Sequence, residues 1–285
     1  MRLALKALVL LLLTAVIAGG VWYYTNKLFL APKKQIADEK QLPPEPPPPD
    51  ESLPELAKAL EIKQAGKWVE ARKSLETFLS EYPDSTKLEE ARDALGEVNA
   101  RILLTPVAAP EKQFYIVRSG DVLNRVANKT KSTPEAIMRA NNLSTHNLRI
   151  EQRLSIPTTE FSIVISRKRN KVILFNGGKY FRQYAIQSWP VQAAKKGAPG
   201  PAPKLTGRVV GKLSWVDGQI VNFADKSYAT ASHWIQLSIP SYTLYSLPAE
   251  GEPAAHKTPN GIALPPEAMP ELAAVLRKND PVTIE

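Results

Sequence analysis

The chain opens with a long, unbroken apolar segment. Residues 7–26 carry no charged side chain, and twenty helical residues at about 1.5 Å each span about 30 Å, the thickness of a bilayer core. The segment closes with aromatic residues of the kind that line a membrane interface, namely Trp22, Tyr23 and Tyr24. The pattern predicts a transmembrane helix, with residues 1–30 as a membrane anchor.

A cleavable signal peptide is the second interpretation of this segment. The small residues Ala18 and Gly20 stand where a signal peptidase needs them. Both interpretations carry the remainder of the chain across the membrane, and the basic Arg2 and Lys6 favour a cytoplasmic N-terminus. We therefore expect a single-pass protein of the bacterial inner membrane, with the bulk of the chain periplasmic or otherwise extracytoplasmic.

A proline-rich segment then gives way to helical periodicity. Residues 31–52 hold six prolines between positions 43 and 49, a composition that favours extended polyproline II and has little to bury. Ser52, Pro54 and Glu55 together predict a helix that starts with a capping box. The linker therefore ends where a folded module begins.

Apolar positions in residues 53–104 recur at helical spacing. Gly66 predicts the turn between two helices, and Pro83 lies 17 residues after it. The apolar stripes are Trp68, Ala71, Leu75 and Phe78 in the second helix, and Leu88, Ala91, Leu95, Val98 and Ile102 in a third helix over about residues 86–103. This pattern resembles a tetratricopeptide-type hairpin. Its role is open between a three-helix spacer and a module that docks an envelope protein.

Residues 115–157 alternate between short strands and short helices. In chain order, the pattern predicts a strand with Tyr115 and Val117, a turn at Gly120-Asp121, a helix from about Val122, a helix from about Ser132 or Thr133 that ends at Asn141-Asn142-Leu143, and a strand that ends at Pro157. The carboxylate of Asp121 can cap the first of these helices, and Pro134 suits the first turn of the second. The prediction is a small βααβ module.

This stretch resembles a LysM domain along its whole length, and we place the domain at residues 114–158. The resemblance implies binding of N-acetylglucosamine-containing glycan, chiefly peptidoglycan, in a shallow groove between two loops formed by Ser119, Gly120, Asp121, Val122 and Leu123 and by Asn141, Asn142 and Leu143. Glu151 stands where the family usually has Gly, so a positive φ there would cost strain. A packing domain without glycan affinity is the alternative, and His146 is interpreted as a solvated loop residue.

Strand signals dominate residues 160–285. The apolar strand positions are Ile163, Ile165, Val172, Ile173 and Phe175, and Asn176-Gly177-Gly178 predicts a hairpin turn. A Pro/Gly/Ala-rich loop follows, and a short helix with a final strand ends the region. This order resembles an L,D-transpeptidase (YkuD-like) domain. Lys204–Val209 lies where that family has a Thr-Pro-x-Gly-x-Phe segment, with Leu205 in place of the proline.

The resemblance implies a site made of a Cys nucleophile, a His base and an Arg. Laid without gaps on this sequence, the His position of the family motif falls on Tyr245, the Cys position on Gly261 and the Arg position on Ala263. The chain has no Cys, so that route to an acyl-enzyme is closed. We expect a pseudoenzyme with no catalytic residue, no cofactor and no metal.

The remaining histidines offer no replacement chemistry in the sequence. His256 and Thr258 lie two residues apart in the loop over residues 251–266 and would share a face of an extended strand, but no pattern supports Thr as a nucleophile. His233 is interpreted as a packed or surface residue. An enzyme with a relocated active site stays open as an alternative.

The net charge and its distribution narrow the classes of partner that the chain is expected to bind. The net charge is +9, and the Lys and Arg excess lies in residues 111–285. A basic half suits anionic lipid or an acidic cell-wall polymer. Since the chain shows neither a clustered Arg/Lys stripe nor an RNA-binding motif, we expect no nucleic-acid partner.

These observations combine into a multidomain α+β protein. The predicted parts are a transmembrane anchor (1–30), a Pro-rich linker (31–52), a tetratricopeptide-like helical module (53–104), a βααβ LysM domain (114–158) and a mostly-β L,D-transpeptidase-like domain without catalytic residues (160–285). The predicted function is a membrane-tethered, peptidoglycan-binding protein of the cell envelope. The alternatives are a peptidoglycan-modifying enzyme with a relocated active site and a helical-module scaffold for envelope proteins.

Overall fold

A computed structural model describes residues 2–30, 52–190, 203–223, 225–247 and 259–285. The predictions for the proline-rich linker before Ser52, and those for His256 and Thr258, lie outside the described residues. The chain divides into two compact units, residues 1–49 and residues 50–285. Each unit is described by itself below.

The first unit contains one long helix. Helix α1 covers Arg2–Tyr24 and continues as a π-helical turn over Thr25–Leu30. Its segment Leu8–Lys27 has a mean hydropathy of 1.9 and is exposed along its whole length. By length and composition, this helix can cross a membrane.

The second unit begins with three helices. They are α2 (Leu53–Gln64), α3 (Trp68–Glu81) and α4 (Leu88–Leu103). Gly66 makes the first turn with a φ of 74°, and the buried stripe includes the predicted Ala71, Leu75 and Phe78. The third helix begins at Leu88, two residues later than predicted.

The predicted capping box at Ser52 is wrong. Ser52 precedes α2 with helical dihedral angles and makes no side-chain cap hydrogen bond. Its hydroxyl instead lies 2.6 Å from the hydroxyl of Ser85. The side chain therefore joins the start of the helical module to the loop between α3 and α4 instead of capping its own helix.

Helix α4 buries two faces, because the second faces the C-terminal sheet. Leu95 and Val98 belong to the helical core, whereas Ala100 and Leu103 belong to the core of the sheet. The amide of Asn99 donates to the carbonyl of Phe181 at 3.0 Å. The helical module and the sheet therefore form one continuous body.

A two-stranded sheet and two helices form the next module. Strand β1 (Lys112–Ile116) pairs antiparallel with β2 (Arg153–Pro157), and between them lie α5 (Leu123–Lys129) and α6 (Pro134–Ala140). Thr133 caps α6 by accepting a hydrogen bond from the amide of Ala136 at 3.0 Å. The core includes Val126, Ile137 and Ile156. This is the predicted βααβ arrangement.

The C-terminal region is a nine-stranded sheet within the described residues. Its strands are β3 (Phe161–Ser166), β4 (Lys171–Asn176), β5 (Lys179–Ala185), β6 (Leu205–Val216), β7 (Gln219–Ile220), β8 (Ser232–Leu237), β9 (Thr243–Ser246), β10 (Ile262–Leu264) and β11 (Pro281–Ile284), with helix α7 at Ala268–Val275. The order is β10-β9-β8-β6-β11-β3-β4-β5, and β7 pairs with β6. The final strand thus lies in the middle of the sheet.

The two edges of this sheet meet. Ser188, just beyond β5, forms an antiparallel bridge with Ala263 in β10. The amide of Ala263 donates to the carbonyl of Ser188 at 3.0 Å, and the amide of Gln187 donates to the carbonyl of Ala263 at 2.8 Å. The sheet is therefore barrel-like, with its apolar interior covered by α7 and by one face of α4.

The predicted hairpin turn is confirmed. Gly177 and Gly178 connect β4 to β5 with φ values of 55° and 80°. Positive φ at both central residues is what a two-residue type I′ turn requires, and glycine adopts it without steric cost.

Candidate functional site

The first loop of the predicted groove turns around Asp121. Its carboxylate accepts hydrogen bonds from the amide of Arg118 at 2.9 Å and from the hydroxyl of Tyr115 at 2.8 Å. These bonds hold the pKa of Asp121 below its usual value. Val122 is the N-cap residue of α5, so the predicted helix-capping role of Asp121 is wrong. Asp121 shapes the loop because its side chain points back toward β1.

The second loop is fixed by Asn141. Its amide nitrogen donates to the carbonyls of Ile137 and Ser155, both at 2.7 Å, and its oxygen accepts from the amide of Ser155 at 2.7 Å. One side chain thus joins the end of α6 to strand β2. Asn142 follows with a φ of 50°, and the helix ends where the sequence predicts.

Both loops rest on one small core. Leu123 from the first loop is buried in the core against which Leu143 from the second loop packs. The amide of Glu151 donates to the carbonyl of Val117 at 2.9 Å, so the end of the second loop is bonded to the chain just before the first. Glu151 has a φ of 65°, which bears out the predicted strain at this position. The structure therefore holds the predicted groove residues on one support.

Apolar side chains stand exposed beside these loops. Val122 is 54% exposed and Ile150 is 63% exposed. The sequence analysis included Val122 but missed Ile150. The available signal was an isolated isoleucine in the otherwise polar run from Thr145 to Gln152. Exposed apolar side chains beside polar loops suit a ring that has both apolar faces and polar edges.

His146 is not the solvated residue that the sequence predicted. Its ring packs edge-to-face on Phe223 of the barrel at 5.1 Å, and its Nε2 lies 3.3 Å from the Phe223 carbonyl oxygen. The aromatic ring of Phe223 packs on the core of the βααβ module. His146 therefore contributes to the junction between this module and the barrel.

Helix α6 completes that junction. The hydroxyl of Tyr228 donates to the Oε1 of Glu135 at 2.8 Å, and the ammonium group of Lys212 lies 3.6 Å from the same atom. The hydroxyl of Thr133 donates to the carbonyl of Ala274. The packing contacts thus use the start of α6, whereas the predicted groove uses its other end.

The residues that match the catalytic motif lie in two neighbouring strands. Tyr245 in β9 and Ala263 in β10 are register partners in a parallel pair. Tyr245 is 6% exposed and Ala263 is 0% exposed. Ala263 is fully buried, so a cation in its place would be buried there without water.

Gly261 precedes β10 and is packed against the backbone of β9. A β-carbon on this residue would lie 2.9 Å from the carbonyl carbon of Thr243 and closer still to the carbonyl oxygen. Real β-carbons do not approach backbone atoms so closely. The position that the motif assigns to the nucleophile therefore accepts no side chain in this arrangement.

His233 is packed, as one of the two sequence interpretations holds. It is buried in β8, and its Nδ1 lies 2.9 Å from the hydroxyl oxygen of Ser214. Burial lowers the pKa of His233 to about 4, so the ring is neutral at neutral pH. In the part of the chain that the structure describes, no three His, Asp or Glu side chains are grouped so that they could hold a metal ion.

A family model supports the assignment of the βααβ module. The model for the LysM domain matches residues 115–157. No curated protein matches the chain significantly.

Solved structures show a distant likeness to this chain. An L,D-transpeptidase from Mycobacterium smegmatis is 13% identical with a TM-score of 0.29, and the match covers 48% of this chain and 64% of that one. L,D-transpeptidase 1 of Mycobacterium tuberculosis is 13% identical with a TM-score of 0.29, and the match covers 47% of this chain and 67% of that one. An L,D-transpeptidase from Stackebrandtia nassauensis is 15% identical with a TM-score of 0.28, and the match covers 44% of this chain and 55% of that one. The match thus covers less than two thirds of the first and third of these chains, and it says nothing about catalysis. The chain contains a LysM domain at residues 115–157, followed by a barrel-like sheet that resembles the L,D-transpeptidase fold.

Proposed function

We propose that this protein binds peptidoglycan in the cell envelope, is tethered to the membrane by α1, and does not catalyse transpeptidation. The observation that carries the proposal is the LysM match over residues 115–157 on a module with the βααβ topology. LysM domains bind the glycan chains of peptidoglycan.

The accessibility of the loops supports glycan binding. Ser119, Gly120 and Asn142 are exposed, so a sugar can reach both loops. The packing of the module on the barrel uses Thr133, Glu135 and His146 instead. The two roles occupy different parts of the domain, so packing does not preclude binding.

The packing around Gly261 supports the absence of catalysis. A nucleophile needs a side chain and a base within hydrogen-bond reach. Gly261 faces the backbone of Thr243, and the phenol of Tyr245 replaces the imidazole at the position of the base. A phenol is a poorer general base at neutral pH than an imidazole.

Helix α1 supports the tether, since it is long and apolar enough to cross a bilayer. Retention of the intact N-terminal residues in a membrane fraction is the expected result. Release of a shortened chain into the soluble fraction would favour the signal peptide instead.

A scaffold role for the helical module has a narrower structural basis. One face of α4 is already buried in the barrel, so a protein partner would have to bind α2 and α3. Loss of a bound partner on substitution of the exposed Val69 in α3 would support that role.

Cosedimentation with insoluble peptidoglycan tests the glycan assignment. In full-length protein held in detergent, Val122→Glu combined with Ile150→Glu places charge beside both loops without touching the core. The double variant should remain in the supernatant. Ile220 is an equally exposed isoleucine on the barrel, and the control variant Ile220→Glu should sediment as the parent does. Unchanged sedimentation of the double variant would exclude the proposed groove.

A further inference from the structure

A polar cavity of about 330 Å³ lies where the helical module, the LysM domain and the barrel meet. Helix α4 contributes Glu97 and Arg101, and α6 contributes Arg139. Strand β5 contributes Arg182, and α7 contributes Glu271. Three arginines from three different modules thus line one cavity.

The innermost arginine, Arg182, is paired with a carboxylate. Nε of Arg182 lies 3.0 Å from Oε1 of Glu271, but the geometry is that of an ion pair and the buried Nε makes no hydrogen bond. The same oxygen of Glu271 accepts a hydrogen bond from the hydroxyl of Tyr184 at 2.7 Å. Arg182 and Glu271 therefore compensate each other's charge, and the binding of an anion depends on the outer arginines.

The outer arginines leave the cavity cationic. Glu97 is paired with Lys63 of α2, so its charge is neutralised from outside the cavity. Among the described residues, neither Arg101 nor Arg139 makes an ion pair. The guanidinium group of Arg101 stacks over the ring of Trp68 at 5.3 Å, which orients it without neutralising it. A planar guanidinium fork suits a carboxylate better than an ammonium group does.

We propose that this cavity binds a carboxylate of a peptide, and that the peptide is one carried by peptidoglycan. The proposal rests on the proposed function. Arg139 lies in the last turn of α6, two residues before Asn141 in the second loop of the glycan groove. An extended peptide reaches about 3.5 Å per residue. Three residues linked to a sugar in the groove therefore reach about 10 Å from that loop in the direction of Arg139.

Calorimetry on the full-length protein in neutral detergent tests the proposal with four probes. They are the free peptidoglycan tripeptide, the same tripeptide with its carboxylates amidated, inorganic phosphate, and chitotetraose as a glycan without peptide. The variant is Arg101→Gln combined with Arg139→Gln, both exposed side chains. The matched control is Arg208→Gln, an exposed arginine of β6.

The parent and the control should bind the tripeptide, and the double variant should bind it about tenfold more weakly, because two charge-assisted contacts are lost. Chitotetraose should bind all three proteins equally. Failure of the parent to bind the tripeptide, or equal binding of the amidated form, would overturn the proposal. Phosphate binding as tight as tripeptide binding would make the cavity a general anion site and would also overturn it. If the parent binds the tripeptide but does not bind chitotetraose, the result would instead count against the proposed glycan groove.

Discussion

The two LysM loops and the strand pair β9–β10 both carry residues that the sequence marks as a site, but their surroundings differ. Ser119, Gly120 and Val122 lie on the surface, supported from below by Leu123. Tyr245 and Ala263, by contrast, are buried in the strand pair. A polymer can reach the loops without any rearrangement, whereas it cannot reach the strand pair. The spacing of a motif can thus be retained while access to its positions is lost.

The largest expected effect comes from restoring a thiol to the strand pair. Gly261→Cys places a β-carbon against the backbone of Thr243, so the strands must separate, and we expect a loss of about 4 kcal/mol or more in the free energy of unfolding. Thermal unfolding measures it. Gly211→Cys is the control, because a β-carbon there meets only the flexible end of Gln236.

The same protein samples test catalysis. Intact mass spectrometry after incubation with a carbapenem, which acylates the Cys of the L,D-transpeptidase family, should show no covalent adduct on the parent. An adduct on the unmodified protein would contradict the proposal that it does not catalyse transpeptidation. A Gly261→Cys variant that is both as stable as the parent and acylated would contradict the conclusion that position 261 accepts no side chain.

Acid should weaken the barrel beside the strand pair. Burial lowers the pKa of His233 to about 4, although the nearby Glu135 opposes this shift, and the unfolded value is near 6.5. The contribution of the neutral ring is complete above pH 6.5 and is lost as pH falls toward 4, by about 3 kcal/mol. Chemical denaturation at pH 7 and at pH 4 measures it. His233→Gln should flatten this dependence, and His146→Gln should leave it unchanged.

Asn141 is expected to matter for the stability of the LysM loops. Asn141→Ala removes three hydrogen bonds, two of which join the end of α6 to β2, with an expected loss of about 2 kcal/mol. Chemical denaturation measures it, and sedimentation with peptidoglycan should weaken in parallel. Asn142→Ala would be strained by its positive φ, so Asn128→Ala on the exposed face of α5 is the better control. Equal stability of the Asn141 and Asn128 variants would refute the role of Asn141.

The smallest effect should come from the first loop. Asp121→Ala frees the amide of Arg118 and the hydroxyl of Tyr115, so peptidoglycan binding should fall severalfold while the unfolding temperature changes little. Asp225→Ala, which breaks a similar turn with the amide of Asn222 in a barrel loop, should leave binding intact. The contribution of Asp121 should also fade in acid, below its unfolded pKa, because its folded pKa is lowered.

Local patterns predicted the elements well, since their causes lie within a few residues. Thr133 caps α6 because its hydroxyl reaches the amide three residues later, and the turn at Gly177-Gly178 depends on two adjacent φ angles. Asp121 and Ser52 are the instructive failures. Each carries the side chain that a helix cap needs, but each has a competing partner, Tyr115 or Ser85, whose position depends on the folding of other segments.

The sequence analysis did not predict contacts between residues that lie far apart in the chain. The apolar stripe of α4 revealed the face that meets α2 and α3. Its second face carries a strongly apolar residue only at its end, Leu103. The rest of that face is Gly96, Asn99 and Ala100, small or polar residues with a weak apolar signal, and it meets β5 more than 80 positions further along the chain. The direction in which the absent β-carbon of Gly261 would point is likewise a property of the folded strands, and spacing alone does not contain it.

The double burial of α4 has a mechanical consequence. A protein that joins a membrane to a wall polymer, as proposed here, carries tension whenever the two move apart. Leu95 is held in one core and Leu103 in another, so a pulling force on residue 52 cannot peel the helical module away without shearing α4 out of both cores at once. Under load, the folded part should therefore give way in a single step at high force, and stretching single molecules would record one rupture instead of a series.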